Sequence, residues 1–365
     1  MNREDSRNRL KKGRENGDKH EKYAIFVPVC RPGKEKGDVR MNRGARIVTV
    51  LLVLVALSLS SCGGGGGSPS ASSPYTGITT AAVVTTSNAD NVARQAFQGG
   101  DLGANATLSP ARSGDARAVV GQPMAARPAA LTLVQILTKA STAVLLPSPA
   151  GKGPSLRAVV TVSDVIDDGW GQGGQARYTI SVDNVTGVFT GTFVFDNFHG
   201  DGGGTINGNV GVSGVASQDS MQILFDFHSV RMVDGAEDVT AIGTVDLVSG
   251  TGGGNATLDI VFRDNANAKT VWLSNFTVGV TEGTGSTDVR MFGRIYLHDY
   301  GYVDVHTEAG FIYPTGSTLP TSGAITLTGS NSCRARLTVV DATTYTVELD
   351  ADGNGLYEWT VAHTW

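Results

Sequence analysis

The chain is poor in cysteine: Cys30, Cys62 and Cys333 are all that its 365 residues contain. That count excludes the disulfide framework that staples small secreted domains. The apolar run Ile47 to Leu59 is only thirteen residues, whereas a helix needs roughly 20 to cross a hydrocarbon core. Also missing are a GxxxxGK[ST] phosphate loop, a GxSxG nucleophile elbow and an HExxH zinc signature. The glycine tracts Gly202–Gly204 and Gly252–Gly254 precede no helix whose N-terminus would face a phosphate, so they read as turns. No helical periodicity follows residue 150, which argues against a parallel βαβ architecture.

Charge is scarce and uneven. Residues 1–40 hold 12 Lys/Arg against 7 Asp/Glu and show no periodicity, so they cannot build a core. The simplest reading is that Met41 is the true first residue; a cytoplasmic extension is the alternative. From Cys62 onward there are 15 Lys/Arg against 27 Asp/Glu, a balance of −12 hidden inside the −5 of the whole chain. An acidic body argues against nucleic acid, whose phosphates require a basic face. It suits solubility and divalent cations.

Residues 41–61 have the three parts of a secretory signal: Arg43 and Arg46, the run Ile47–Leu59, then small residues. Leu59-Ser60-Ser61-Cys62 followed by the Gly63–Gly67 tract resembles the lipobox of bacterial lipoproteins. That resemblance implies recognition of Leu59, Ser60 and Ser61 by signal peptidase II, cleavage before Cys62, and acylation of Cys62. An ordinary cleaved signal peptide is the competing reading. Residues 62–75 are a Gly/Ser/Pro tether that stays solvated. Gly63 stands where an Asp is associated with inner-membrane retention, so the resemblance implies the outer membrane.

Residues 76–150 read as a small helical or irregular region. Ser87-Asn88-Ala89-Asp90 opens a short capped helix stopped at Gly99-Gly100, residues 101–130 look like a loop, and Leu131–Val144 has helix-compatible spacing. From residue 151 to 365 the period changes to two, with Gly, Asn and Asp clusters between short runs rich in Val, Thr and Phe. Such runs predict a mainly β fold: an antiparallel meander forming a curved sheet, barrel-like or sandwich. An internal repeat supports this. Asp238–Leu247 matches Asp288–Leu297 at an offset of 50, Phe225–Gly235 matches Leu273–Gly283 at 48, and Phe195–Val210 is a fainter copy. Each unit carries a mid-strand glycine, Gly208, Gly243 or Gly293, which marks a bend or bulge.

Asp350-Ala-Asp352-Gly-Asn354-Gly-Leu-Tyr-Glu358 is the richest constellation. Its oxygen ligands Asp350, Asp352, Asn354 and Glu358 resemble DxDGNG calcium loops, although position 12 is Val361 and period-two runs flank it instead of helices. It reads either as a Ca2+-holding hairpin or as a plain Asp-Gly/Asn-Gly turn. His298 and His306, with Asp299, Asp304 and Glu308, form either a metal site across adjacent strands or a scattered acidic surface. Trp272, Tyr296, Tyr300, Tyr302 and Tyr313 form either a sugar- or partner-stacking strip or core. Cys333 alternates with Ala335, Leu337 and Val339, which places its thiol on a buried strand face. Trp359, Val361 and Trp365 are similar to the closing strand of outer-membrane barrels; His363 departs from that pattern, and outward Asp, Arg and Glu are unsuited to lipid.

The lipobox, tether, meander and DxDGNGxYE hairpin together resemble glycine- and threonine-rich lipoproteins of Gram-negative bacteria. This resemblance implies an envelope protein held to the membrane by a lipid, with a non-enzymatic binding or structural β domain and no nucleic-acid partner. The alternative is an envelope hydrolase or carbohydrate-active enzyme with dispersed carboxylates and aromatics.

Overall fold

A computed structural model describes residues 74–107, 159–167, 174–199, 204–217 and 220–365. The lipobox residues Leu59, Ser60, Ser61 and Cys62, residues 1–40 and the helix expected at Leu131–Val144 lie outside the described residues. The elements are α1 (Ala89–Thr107), β1 (Val159–Asp167), β2 (Gln175–Asp183), β3 (Val188–His199), β4 (Thr205–Ala216), β5 (Ser220–Asp234), β6 (Glu237–Gly250) and β7 (Gly253–Asp264). They continue with β8 (Thr270–Gly283), β9 (Ser286–Leu297), β10 (Gly301–Pro314), β11 (Ser322–Thr328), a 3-10 turn (Ser330–Ser332), β12 (Arg334–Val339), β13 (Thr344–Asp350) and β14 (Trp359–Thr364). Among the described residues, 14 strands form one antiparallel sheet in chain order, so every strand pairs with its sequence neighbours and β1 and β14 are its edges. The expected meander is therefore present, as an open sheet.

Alternation sorts the side chains. In β5, Ile223, Phe225, Phe227, Val230 and Met232 are buried; in β9, Val289, Met291, Ile295 and Leu297 are. These join the inward residues of the other strands and the apolar side of α1 in one core. The opposite face carries Asp246, Asp288, Arg290, Arg294, Asp304, Arg336 and Glu348, several of them in ion pairs. Burying one face of each strand fixes the register, because a one-residue slip would turn every apolar side chain outward.

The mid-strand glycines belong to a line of backbone irregularities across the sheet. Gly208, Gly243 and Gly293 have φ of 126°, 131° and 134°, and Asn197, Ser229 and Asn275 are left-handed beside them. Register shifts occur between Phe195 and Phe198, Phe227 and Val230, and Ser274 and Thr277. A Cβ on Gly293 would meet Phe276 Cα and Asn275 O at 2.6 Å, so no side chain fits there. Bulges opposite glycines increase local twist and bend the sheet towards its apolar face. In the repeat, Val230 and Phe276 are the equivalent bulge neighbours, an offset of 46 in place of the expected 48. The slack lies in the hairpin arms.

The helix departs from expectation. It does not stop at Gly99-Gly100 but runs on to Thr107, so residues 101–107 are helical rather than loop. The glycines are there for contact. A Cβ on Gly99 would lie 2.9 Å from Leu273, one on Gly103 2.5 Å from Val278, and one on Gly100 would collide with Met291. Three missing side chains let α1 lie close to β7, β8 and β9 on the inner face. Packing has overridden the roughly 1 kcal/mol that each glycine costs a helix.

Before the helix, the chain passes from the outer face to the interior. Tyr75 is packed against Trp272 and Tyr296. Ile78 N–H donates to His298 O, and Thr80 O and Ala82 N–H bond Tyr302 on β10. Ala82 and Val84 then enter the core. There Ala82 O accepts from Ser330 N–H at 2.7 Å and lies 3.8 Å from the Cys333 thiol. Cys333 is buried and free, as its alternation predicts.

Candidate functional site

β13 and β14 converge on the loop 351–358, and here the expected acidic cluster forms. Asp350, Asp352 and Glu358 each place a carboxylate oxygen within 4.8 Å of the others. Asp350 is the organiser: its side chain is fully buried. Its Oδ1 accepts from Gly353 N–H at 2.8 Å and Asn354 N–H at 3.1 Å, and its Oδ2 from Gly355 N–H at 2.9 Å. Gly353 and Gly355, at φ of 75° and 90°, turn those amides inward, a conformation that only glycine adopts without strain.

Asn354 completes the loop. Its Nδ2 donates to Asp352 Oδ2 at 3.0 Å and to Glu358 Oε1 at 3.4 Å, and its Oδ1 accepts from Leu356 N–H at 2.7 Å. The donor set fits a hard cation in type, since Asp350, Asp352 and Glu358 offer converging oxygens. The hydrogen bonds nevertheless close the loop without one, because the Asn354 amide bridges the two exposed carboxylates. Calcium titration of the wild type and Asp352→Ala separates the two readings. An ion raises only the wild-type melting temperature, and equal responses assign the loop to hairpin closure.

The histidines do not assemble. His298 sits in the β9–β10 turn beside Thr270, 3.3 Å from its hydroxyl, while His306 stands on the outer face against Phe292. The nearby carboxylates are engaged elsewhere. Asp299 pairs with Lys269, Asp304 with Arg294 at 2.7 Å, and Glu308 accepts from Thr326. Among the described residues, no group drawn from these five brings three ligands together.

The aromatic strip divides by strand parity. Trp272, Tyr296 and Tyr302 form a row on the outer face, Trp272 and Tyr296 stacked at 4.5 Å and Tyr296 5.3 Å from Tyr302. The Arg294 guanidinium covers Tyr302 at 3.8 Å, and the Trp272 indole donates to Asp259 at 2.7 Å. Tyr75 closes over the row, and its burial beside Tyr296 and Asp299 pushes its phenol up to about 12. Trp272 and Tyr296 spend a ring face on one another, Arg294 covers Tyr302, and Tyr75 packs on the row, which thereby clamps the N-terminal segment. Tyr313 is buried inside, where its hydroxyl donates to Asp101, and Tyr300 sits in the β9–β10 turn and meets Asn91.

A second ring cluster, not foreseen from the sequence, joins the start of α1 to the last strands. Trp365 packs on Tyr345 at 4.5 Å and on Phe97 at 4.8 Å, and Tyr345 stacks with His363 at 5.3 Å. The Tyr345 hydroxyl donates to Asp90 at 3.0 Å; His363 and Arg94 approach the same carboxylate at 3.4 and 3.2 Å. Burial is the main cause holding the Tyr345 phenol above its ordinary range, with Asp90 second.

Comparison with known proteins returned no matching family model, no curated protein and no solved structure at a significant level.

Proposed function

We propose that this chain is a bacterial cell-envelope lipoprotein, anchored at the outer membrane through acylated Cys62, whose β body acts by binding or as structure rather than by catalysis. The observation that carries the reading is the sorting of the sheet: apolar side chains inward, charged ones outward. Membrane-spanning barrels have the opposite arrangement, with an apolar exterior. A body stabilised in this way stands in water, and its bilayer attachment comes from outside the sheet. Tyr75, expected as the last residue of the solvated tether, is instead buried on the outer aromatic row, so the body begins there.

Radiolabelled palmitate tests the anchor: label enters the wild-type chain and is lost in Cys62→Ser. Recovery of processed protein from the medium with an unmodified amino terminus overturns it. Fractionation of Gly63→Asp tests the membrane assignment, because the change is expected to move the protein to the inner membrane.

A further inference from the structure

We infer that Tyr75–Val84 is a releasable strap, which leaves its seat between β10 and β11 while α1 and the sheet stay folded, and so lengthens the tether. The seat is a fork in the sheet. β10 pairs with β9 from Gly301 onward, but with β11 only from Asp304↔Thr328, and the strap fills the gap. Tyr302 N–H donates to Thr80 O at 2.9 Å, Ala82 N–H to Tyr302 O at 2.8 Å, and Ser330 N–H to Ala82 O at 2.7 Å. Ala81 thereby forms an isolated parallel bridge with Tyr302. Two glycines make the room. A Cβ on Gly301 would lie 2.2 Å from Thr80 O, and one on Gly329 2.3 Å from Ala82 O.

The hold is light and the stop beyond it is firm. With Ile78 N–H on His298 O at 3.1 Å, these backbone bonds are the only ones among the described residues that tie the strap to the sheet. Between the buried Tyr75 and Ala82, residues Thr76, Ile78, Thr79 and Thr80 are exposed. Segments with few buried contacts and solvent-exposed hydrogen bonds open at lower free energy than the core. The sheet does not depend on the strap, since no strand pair includes residues 75–84. Past Val84 the chain is pinned: Thr85 N–H donates to Asn88 Oδ1 at 2.8 Å, and Asp90 accepts from the Tyr345 hydroxyl at 3.0 Å. Release therefore ends at α1. It frees ten residues, at most roughly 33–36 Å of extended chain. That gain in reach rests on the reading of Cys62 as the acylated anchor, whereas the release itself does not.

Cys333 reports the release. Its thiol is buried 3.8 Å from Ala82 O. A Cβ on Gly329 would sit 3.0 Å from that Sγ and 3.1 Å from Val84 Cγ2, so strap and thiol meet at one point. The test uses the full chain with Cys30→Ser and Cys62→Ser, which leaves Cys333 as the one thiol and removes the acylation site. In dilute urea, maleimide labelling of Cys333 is expected to run at a rate independent of urea, at least tenfold faster than global unfolding allows. Gly329→Ala tests the seat without backbone strain, because Gly329 has a φ of −105°. It and Tyr75→Ala should each raise the labelling rate at least tenfold with unchanged circular dichroism. Trp365→Ala, which weakens the last strand, should leave it within about twofold. Labelling that follows global unfolding through the urea series overturns the proposal, as does a rate that neither Gly329→Ala nor Tyr75→Ala moves. Because this protein carries no acyl group, a failure of palmitate labelling in the parent chain removes the gain in reach and leaves the release standing.

Discussion

Among the described residues β14 and β1 each have one strand neighbour, yet β14 packs Trp359, Val361 and Trp365 against the core, while β1 packs only Ile166 there and leaves Val159, Val160 and Val165 exposed. The difference comes from what lies beneath each edge. α1 supplies Phe97, Asp90 and Arg94 to the last strand, which its ring stack and a shared carboxylate then hold. α1 packs beneath β6 to β9 and beneath β12 and β13. An edge is secured here by side chains reaching under the sheet, since the less covered β1 has the longer backbone pairing, nine partners against six for β14.

Substitutions should reproduce this asymmetry, and urea unfolding measures it. Trp365→Ala is expected to cost the most, about 3 kcal/mol, because it empties a site among Tyr345, Phe97 and the helix. Asp350→Ala should follow at about 2 kcal/mol, leaving the amides of Gly353, Asn354 and Gly355 without their acceptor. Gly103→Ala should destabilise by about 1 kcal/mol, the collision with Val278 outweighing the better helix propensity of alanine. A stabilised Gly103→Ala protein would show that α1 does not press on β8 as described. Val160→Ala on β1 should cost less than about 0.5 kcal/mol, the range of exposed positions. A Val160 cost equal to that of Trp365 would remove the distinction between the edges.

The smallest effect is electrostatic and lies between them, on β6. Arg231 donates to Asp238 through two hydrogen bonds of 2.8 and 2.6 Å, and with Asn265 it lowers the Asp238 carboxyl to about 2. A depressed carboxylate stabilises the fold above its unfolded value, near 4. That contribution is lost as pH falls through the folded value. Wild type should therefore lose slightly more melting temperature between pH 4 and pH 2 than Asp238→Asn, and equal losses would deny the pair any weight.

Much of the sheet was legible because strand parity is a local signal. Val239, Ala241, Val245 and Leu247 announce their common face within ten residues, and the repeated glycines announce the line along which the sheet bends. Helix α1 was misjudged because a glycine that ends a helix and a glycine that seats one look identical without the opposing Leu273, Met291 and Val278. The aromatic strip was half legible: Trp272, Tyr296 and Tyr302 share a face, but sequence does not show that Tyr75 would cover them. The ring cluster at Asp90, Tyr345 and His363 had no local signal, Asp90 lying 255 residues from Tyr345 along the chain. The acidic loop was legible as a turn, whereas the capture of three amides by Asp350 is visible only in three dimensions.

Because α1 precedes every described strand and ends up beneath β6 to β9, β12 and β13, the ribosome delivers the filling before the wrapper. Hairpins can zip one after another by short-range contacts, which is fast, but the inner surface of β6 to β9 needs the helix already in place. The long-distance meeting of Asp90 with Tyr345 must then come last, when the final two strands have been synthesised. Removing those strands should leave a chain that acquires its hairpins yet never grips its own centre.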